Sequence, residues 1–549
     1  MIGPADTIWF WIIIVAYLAM LAVFGIISRR KTKTITDFMV ASRSIGPVLL
    51  ALSYGATYFS AVLFIGSPGN TWALGEQWIW ITFTNLIFGT FFAFLILGNR
   101  TRRMSNKLGA ITLPELIAER YQDKRYIRQT SGLILGVFLT IYLVSVFIGM
   151  AVLLQVLFPG FAYAFQVAVI LCGIVSIAYL VIGGSHGAIM SDLVESIIML
   201  VGVVGIVVGG LVAVGGIAGM NANIVADLAN NGVADAFAAD NAAWFIFPNL
   251  MSIPMIGMSL VTAFGTWGSP QMSTRFFTSK NRKSVRYGLL IACIWVAVVS
   301  FCAWFSGAVA RGLSPTSTAD LKAWLSLLCG GDPATMAKWT EYVIPWALTN
   351  PNTIYPLWFT ALFLGSVLAA SLTTGEKLII VGSGSLIRDF WQKGVGRSRN
   401  MSDESALKWT RMFIGVIIVV AMLLTFLRPA FILDLCMWAW ACLNAFTLVP
   451  FIAGLYWKGG TKRAAFLSGV IALAVSILWF FCFYPKWSPG LGLPLIPGIF
   501  TKTTYIHEFI ISQAVAIPAF FIISFFDKKK PDKTFLEDLF KYVKENTND

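Results

Sequence analysis

The stretch "LSYGATYFSAVLFIGSPG", residues 52–69, lies inside a long apolar segment and yet contains three glycines, three serines and a proline. Backbone that is broken at membrane depth is tolerated only where it is buried in protein or lines a water-filled cavity. A second apolar segment, "SLVTAFGTWGSP" (259–270), has the same character. The two segments predict two discontinuous helices, as in secondary transporters built from inverted repeats. Two kinked structural helices are the alternative.

The composition is that of a membrane protein. Of the 549 residues, 58% are hydrophobic and 12% are charged, which is typical of an all-α polytopic membrane protein. Apolar runs long enough to cross a ~30 Å hydrocarbon layer number about thirteen. They begin near Ile8, Gly46, Trp78, Ser131, Gln166, Ala188, Phe247, Gly288, Trp358, Lys408, Ala430, Ala465 and Ile506.

The distribution of basic residues predicts the topology. Of the 40 Lys and Arg residues, 33 fall in connections on one side of the predicted membrane and six on the other. The positive-inside rule then places the N-terminus outside and the C-terminus in the cytoplasm of a multi-pass plasma-membrane protein. The net charge of +14 therefore reflects contact with a lipid bilayer, and no nucleic-acid partner is predicted. The remaining basic residue, Lys377, lies inside a span.

The same pattern divides the chain into five parts. They are an extra N-terminal span with a basic loop (1–45), a first repeat with its external loop (46–246), a second repeat (247–457), two peripheral spans (458–526) and a charged cytoplasmic tail (527–549). The tail has apolar residues at helical spacing, which predicts an amphipathic helix lying on a surface. The seven cysteines suggest no disulfide framework, and no catalytic nucleophile with its base is evident, so no enzyme is predicted.

Six motifs follow one another along nearly the whole chain. They are "TDFMVASRSIGP" (36–47), "ALSYGATYFSAVLFIGSPGNTWALG" (51–75), "ITLPELIAERY" (111–121), "AYLVIGGSHGAIMSD" (178–192), "GTWGSPQMSTRFFT" (265–278) and "GLYWKGGTKRAA" (454–465). In this order they resemble the motifs of the sodium:solute symporter family, whose members carry sugars, proline, pantothenate and monocarboxylates together with sodium.

The resemblance implies a fold and a cation site. The fold is the LeuT-like 5+5 inverted repeat, with one extra span before it and two after it. The sodium ligands implied are the backbone carbonyls of Ala56, Phe59 and Ala370 and the hydroxyls of Thr373 and Thr374. Several oxygens around one point suit a dehydrated hard cation. Without the resemblance, helical threonines would be expected to hydrogen-bond to the preceding turn.

The sequence departs from the family where some members bind a second sodium ion. Those members use helical hydroxyls together with an Asp, which is present here as Asp192. The hydroxyl positions, three and four residues after Thr373, are instead Glu376 and Lys377. Counted along its helix, Lys377 lies ~16 Å inside the membrane, where an unpaired ammonium is costly. An anionic partner among Glu376, Asp192 and Glu195 is therefore expected.

Three interpretations of Lys377 are open at the level of sequence. The ammonium could stand permanently in place of the second sodium ion, which favours one sodium ion per cycle. It could instead titrate with a neighbouring carboxylate and carry a proton. Finally, it could bind a carboxylate on the solute or be purely structural.

The motif "GTWGSPQMSTRFFT" also narrows the solute. It resembles the pattern of the proline, pantothenate and acetate carriers rather than that of the sugar carriers, which points to a small carboxylate-bearing solute. The residues expected to contact the solute are Tyr142, Thr262, Thr266, Trp267, Trp438 and Asn444. Three of these, Thr262, Thr266 and Trp267, are expected at the break of the sixth core helix. Aromatic core packing is the alternative for Trp438.

Together these features predict a secondary active transporter that couples sodium to a small monocarboxylate or amino acid by alternating access. A proton-coupled symporter that uses Lys377, Glu376 and Asp192 is the alternative. A transporter-like solute receptor is a remote one, because the tail is too short for a signalling domain.

Overall fold

The computed structural model describes the following parts of the chain: residues 8–29, 34–123, 125–156, 158, 161, 163–231, 253–349, 355–395, 401–485, 495–496, 498–500 and 504–545. These residues form helices and short connections, with one isolated backbone bridge between Ile45 and Ser279. The expected all-helical class is confirmed for this part of the chain.

In its described residues, the first half contains eight helices of more than seven residues. They are α1 (Ile8–Arg29), α2 (Pro47–Tyr58), α3 (Val62–Leu74), α4 (Glu76–Leu108), α5 (Leu113–Arg120), α6 (Tyr126–Gln155), α7 (Ala164–Ala213) and α8 (Gly216–Asn230). Within α4 the stretch Asn85–Gly98 is a π-helix.

The described part of the second half continues with eleven longer helices. They are α9 (Ile253–Gly268), α10 (Pro270–Thr278), α11 (Arg282–Arg311), α12 (Ser317–Cys329), α13 (Val343–Thr349), α14 (Leu357–Val395), α15 (Asp403–Phe426), α16 (Ile432–Tyr456), α17 (Lys462–Phe483), α18 (Glu508–Phe526) and α19 (Lys533–Glu545). Short α-helices, Ile35–Val40 and Pro333–Met336, lie in connections.

Many of these helices can cross a membrane. Within the described ranges, nine are long and apolar enough, and the bent pair α2–α3 makes a tenth. Three shorter apolar stretches, Ile8–Tyr17, Ala164–Ile177 and Ile253–Gly268, are also present. The number of crossings and the direction of the termini stay predictions.

Both expected helix breaks are present. The first lies between α2 and α3, which meet at an angle of 50°. The second is a single extended residue, Ser269, with φ −75° and ψ 123°, between α9 and α10. Pro270 explains this position, because a proline has no N–H and disfavours helical backbone at the residue before it. The break therefore falls after Thr262, Thr266 and Trp267, which are helical residues of α9, and the expectation that they occupy the break was wrong.

Helix α7 also differs from the expectation. The sequence predicted two spans, beginning near Gln166 and Ala188, but the backbone forms one helix of 50 residues. Gly183, Gly184 and Gly187 lie between the two predicted spans, and each glycine weakens a helix by only ~1 kcal/mol without preventing it. Since α7 is ~75 Å long, more than twice the hydrocarbon thickness, its apolar stretches Ala164–Ile177 and Ile189–Ala213 stay the candidate crossings.

Burial separates central helices from peripheral ones. In the most apolar part of each helix, 94% of α16 and 83% of α6 is buried, against 28% of α17 and 33% of both α15 and α18. The exposed surface carries large apolar side chains such as Phe525 and Leu423, as a lipid-facing surface requires. The functional site is therefore expected around α6 and α16 and the broken helices packed beside them.

Candidate functional site

The first break leaves backbone carbonyls without helical partners. The last hydrogen bond of α2 runs from the N–H of Phe59 to the carbonyl of Gly55, at 3.0 Å. Phe59 is extended, with φ −114° and ψ 119°, so the carbonyls that follow Gly55 lie beyond the helical ladder. The hydroxyl of Ser60 accepts the N–H of Val62 at 3.2 Å and caps the start of α3.

One of these carbonyls contacts Thr374, one of the two predicted threonines of α14. The hydroxyl of Thr374 donates to the carbonyl of Ala56 at 3.1 Å, and the hydroxyl of Thr373 donates to the carbonyl of Ala370 at 2.7 Å. All four residues are fully buried. The structure thus brings the end of α2 and the middle of α14 into direct contact. The fifth predicted ligand, Phe59, is the extended residue at the end of α2, and its ring stacks on Tyr58 with centroids 4.5 Å apart.

One helical turn further along α14 is a buried charged group. The ammonium of Lys377 forms an ion pair with a carboxylate oxygen of Asp192 on α7, as expected. The neighbouring carboxyl of Glu195 accepts a hydrogen bond of 2.5 Å from the hydroxyl of Tyr17 on α1. The sequence pattern gave no reason to select Tyr17, because α1 precedes the core repeat. Both oxygens of Glu376 lack a hydrogen-bond partner within the described residues.

A small cavity lies beside the first break, between α2–α3, α6, α9 and α16. Its free volume is about 30 Å³, room for one or two water molecules, so its walls must move to admit a solute. Of the six predicted solute contacts, Tyr142 and Thr262 line it. The ring of Tyr142 lies edge-on to Trp440, which also lines the cavity, with centroids 5.9 Å apart.

The other four predicted contacts lie outside this wall. The hydroxyl of Thr266 donates to the carbonyl of Gly89 at 3.2 Å, and the indole of Trp267 donates to that of Phe88 at 2.8 Å. The ring of Trp438 stacks on Phe480 at 4.7 Å, which is the core packing considered as its alternative. The fourth residue is Asn444.

Asn444 holds the second break together. Its amide nitrogen donates to the carbonyls of Gly265 and Trp440, both at 2.9 Å, and its amide oxygen accepts the N–H of Gly268 at 3.2 Å. These contacts satisfy backbone groups that the end of α9 exposes next to Ser269. The amide group of Asn444 therefore already hydrogen-bonds to backbone groups at the end of α9, and this geometry does not support a direct contact with the solute.

Several cavity residues were not selected from the sequence. Tyr58, Ser60 and Ser67 come from the first broken helix, and Asn85 comes from the start of the π-helix in α4. The hydroxyl oxygen of Ser67 and the amide oxygen of Asn85 are buried without a hydrogen-bond partner among the described residues. A signal for Asn85 existed, because it is a lone amide in the apolar run "WITFTNLIFGTFF" (80–92).

A cluster at the start of α16 joins this helix to the connection between α12 and α13. This loop cluster consists of Lys338, Glu341, Tyr342 and Arg428. Glu341 accepts the N–H of Ile432 at 2.8 Å and a hydrogen bond from Arg428 at 3.4 Å. Burial raises the pKa of Glu341, although Arg428 and Lys338 oppose the shift. Burial lowers the pKa of Lys338 to about 8. The loop cluster is therefore sensitive to mildly alkaline pH.

A second ionic cluster links α5, α6 and the end of α14. Arg128 contacts Glu115 at 2.7 Å and Asp389 at 3.1 Å, and Arg388 contacts Glu115 at 3.3 Å. Burial alone would raise the pKa of Glu115, but Arg128 and Arg388 outweigh it and lower that pKa. The cluster connects one end of α14 to the connection that precedes α6.

Comparison with known proteins agrees with this geometry. A model of the sodium:solute symporter family matches residues 38–472. The chain belongs to the sodium:solute symporter family. A sodium/proline symporter of Staphylococcus aureus is 28% identical to this symporter over 518 residues, which cover 93% of this chain and 94% of the relative.

A solved structure supports the same fold. It is the substrate-bound outward-open state of a Na⁺-coupled sialic acid symporter, with a TM-score of 0.71 and 17% identity, and the match covers 95% of this chain and 99% of that one. The protein is therefore a multi-pass plasma-membrane symporter with a LeuT-like fold, and it is not an enzyme. It couples the transport of a small solute to sodium.

Proposed function

We propose that this symporter carries a small amino acid or monocarboxylate together with one sodium ion per cycle. The similar protein of Staphylococcus aureus is a sodium/proline symporter, which supports a solute of this size and class. The cavity wall offers a phenol, a hydroxyl and an amide from Tyr142, Thr262 and Asn85. It also contains Ser60 at the start of α3, where the positive end of the helix dipole favours a carboxylate.

The sodium ion is proposed to bind at Ala56, Phe59, Ala370, Thr373 and Thr374. The hydrogen bond between Thr374 and Ala56 carries this proposal, because it joins an end-of-helix carbonyl to a side-chain oxygen from a distant part of the chain. Carbonyl and hydroxyl oxygens are the ligands that a hard cation prefers. Because the site joins the two repeats, bound sodium can stabilise one conformation of the transporter over the other, which coupled transport requires.

Lys377 is proposed to be a fixed cation that takes the place of a second sodium ion. Its ammonium pairs with Asp192, the acidic residue that other family members would use for that ion. Lys377 is absent from the cavity wall, so a direct contact with the solute has no comparable support. A single sodium ion per cycle follows from this arrangement. The proton-coupled alternative would instead require Lys377 to lose and regain its proton during transport.

The sodium site can be tested in proteoliposomes. A thermal-shift screen of amino acids, short monocarboxylates and sugars, with and without sodium, first identifies a solute. Thr374→Val and Thr373→Val should then raise the sodium concentration for half-maximal uptake about tenfold or more, since each removes one ligand. Thr360→Val is the matched control, because Thr360 is a buried threonine of the same helix that donates to Leu348. Equal sodium affinity in all three variants would contradict the proposed ligands.

The role of Lys377 needs a separate test. Lys377→Ser places a hydroxyl beside Asp192 and should recreate a second sodium site, so the sodium dependence of uptake should become steeper. If the variant transports with an unchanged sodium Hill coefficient, Lys377 does not replace a second ion. In the wild type, the reversal potential of solute-coupled current should correspond to one sodium ion per solute molecule.

A further inference from the structure

The ends of α17 and α18 that are predicted to lie in the cytoplasm form one surface patch, which the transport site does not use. At this end of the pair, the N–H of Thr461 donates to the hydroxyl of Ser524 at 3.4 Å. Both helices are candidate membrane spans at the periphery of the protein. The α17–α18 patch consists of exposed residues from the two helices and from the connection to α19: Lys462, Arg463, Phe525, Phe526, Lys528 and Lys529. It therefore lies where the lipid-facing surface meets the aqueous phase.

The α17–α18 patch is strongly basic. It presents the exposed cations of Lys462, Arg463, Lys528 and Lys529. One carboxylate, that of Asp527, lies among them, but its side chain is only 1% exposed. This carboxylate contacts Arg463 at 3.5 Å and accepts the N–H of Lys529 at 3.0 Å. Because the acid is enclosed while the cations stay exposed, the patch attracts anions.

Two phenylalanines lie beside these cations at the end of α18. Phe525 is 76% exposed and Phe526 is 75% exposed, the highest exposed fractions among the large apolar side chains of the described residues. Each follows another exposed apolar residue, Phe521 or Ile522, by four positions, so both rings share the lipid-facing side of the helix. Contact with water is unfavourable for both rings, whereas acyl chains at the edge of a bilayer would cover them.

We propose that the α17–α18 patch binds an anionic phospholipid of the cytoplasmic leaflet. Lys528 and Lys529 contact its phosphate group, and the two phenylalanines contact its acyl chains. A cluster of lysines directly after a membrane span is the arrangement expected for an anionic headgroup. A soluble anion or an acidic peptide would use the cations alone and leave both rings in water, so the lipid fits the patch better.

A neighbouring lysine fixes the backbone that carries the patch. The ammonium of Lys530 donates to the carbonyls of Ser524 and Phe525, at 2.8 and 3.0 Å. These carbonyls belong to the last turn of α18, where a cation is favoured by the helix dipole. Lys530 therefore caps the helix and holds the two phenylalanines in place, while Lys528 and Lys529 supply the charge that faces the lipid.

Native mass spectrometry of the full-length protein, released from a non-ionic detergent, tests the site. The protein is titrated with phosphatidylglycerol and, separately, with phosphatidylcholine that has the same acyl chains. The wild type should bind the first phosphatidylglycerol molecule more tightly than the first phosphatidylcholine. Lys528→Gln/Lys529→Gln should weaken the first phosphatidylglycerol about 30-fold, since each lysine near an anionic surface contributes about fivefold to the affinity. Lys528→Arg/Lys529→Arg keeps both charges and should bind as the wild type does.

Two further variants separate this patch from net charge and from a soluble ligand. Lys541→Gln/Lys544→Gln removes the same charge from exposed positions of α19 and should leave the affinity for phosphatidylglycerol nearly unchanged. Phe525→Ser/Phe526→Ser should weaken both lipids, because it removes the contact with their acyl chains.

Three results would overturn the proposal. The first is a wild type that does not prefer phosphatidylglycerol, and the second is an equal loss of affinity, or none, in the two lysine-to-glutamine variants. The third uses glycerol phosphate as a competitor. If it displaces phosphatidylglycerol equally well from the wild type and from the phenylalanine variant, the ligand is a soluble phosphate and not a lipid.

Discussion

Replacement of Lys377 by Met should destabilise the symporter by an amount that falls as the pH is lowered. The substitution leaves Asp192, which is fully buried, without its counter-ion. Removing one partner of a buried ion pair typically costs 3–5 kcal/mol. The upper limit is the cost of protonating the stranded carboxyl group. Holding an aspartic acid protonated at pH 7 costs roughly 4 kcal/mol, because its pKa in water is about 3.9, and the cost at pH 5 is roughly 1.5 kcal/mol.

These energies correspond to measurable shifts in melting temperature. With an unfolding entropy of ~2.1 cal/mol/K per residue, a chain of this length has an unfolding entropy of about 1.2 kcal/mol/K. Lys377→Met should therefore lower the Tm by about 3 °C at pH 7 and by about 1 °C at pH 5, each relative to the wild type at the same pH. Fluorescence-detected size-exclusion chromatography of heated detergent samples measures these differences.

The double variant Lys377→Met/Asp192→Leu is the control. It replaces the ion pair by apolar side chains, which is often neutral or stabilising in proteins, so its Tm should return to within about 1 °C of the wild type. A double variant as unstable as the sum of the single variants would show that the two residues do not interact. A loss in Lys377→Met that is the same at pH 5 and pH 7 would equally refute the reasoning.

Three further predictions follow from other parts of the structure. Burial lowers the pKa of Lys338 from 10.5 to about 8, so between these pH values the unfolded chain binds one proton more than the folded chain. The stability of the wild type relative to Lys338→Met should therefore rise as the pH increases from about 8 to about 10. A Tm difference between the two proteins that does not change over this range argues against a buried ammonium in the loop cluster. Asn444→Ala should lower the free energy of unfolding by about 2–3 kcal/mol, since it leaves buried backbone groups at the second break unpaired. The KM for the solute, measured on the folded variant, should be nearly unchanged. A rise in KM without a loss of stability would instead identify Asn444 as a solute contact. Phe540→Ala should release α19 from the rest of the protein, because the side chain of Phe540 is only 3% exposed. A loss of about 3 kcal/mol of packing energy would accelerate proteolysis of the tail roughly 100-fold. The control Glu537→Ala, on the exposed face of α19, should leave the rate of proteolysis unchanged.

The sequence carried the features that depend on local chemistry. Pro270 and the glycines near Ala56 predict breaks in the helices, because proline and glycine change the conformation of the backbone at their own positions. Lys377 was conspicuous because a lone ammonium in an apolar segment is costly wherever the helix packs. The pairing of Lys377 with Asp192, across 185 residues of sequence, could be expected only because the family resemblance named the acidic partner.

Features that depend on which helices meet were not predictable in the same way. Tyr17 reaches Glu195 only because α1 packs against α7, and no periodicity within α1 distinguishes that tyrosine from its neighbours. Asn444 was assigned to the solute because polar residues in central helices usually line a site, but the same amide is needed to satisfy the end of α9. Sequence alone does not show whether a buried polar side chain hydrogen-bonds to the solute or to the protein backbone.

The C-terminal helix α19 offers a labelling position that reports on transport. Phe540 lies over the guanidinium of Arg120, with 5.4 Å between the ring centroid and Cζ, and Arg120 donates to the carbonyls of Gly454 and Trp457 at the end of α16. The carbonyl of Val543 in turn accepts a hydrogen bond from Arg103 on α4. A fluorophore attached at Lys544, an exposed residue of α19, would therefore sit on a helix that contacts both α4 and the end of α16 through these arginines. Its distance to a second label could follow the conformational cycle without any probe in the transport pathway.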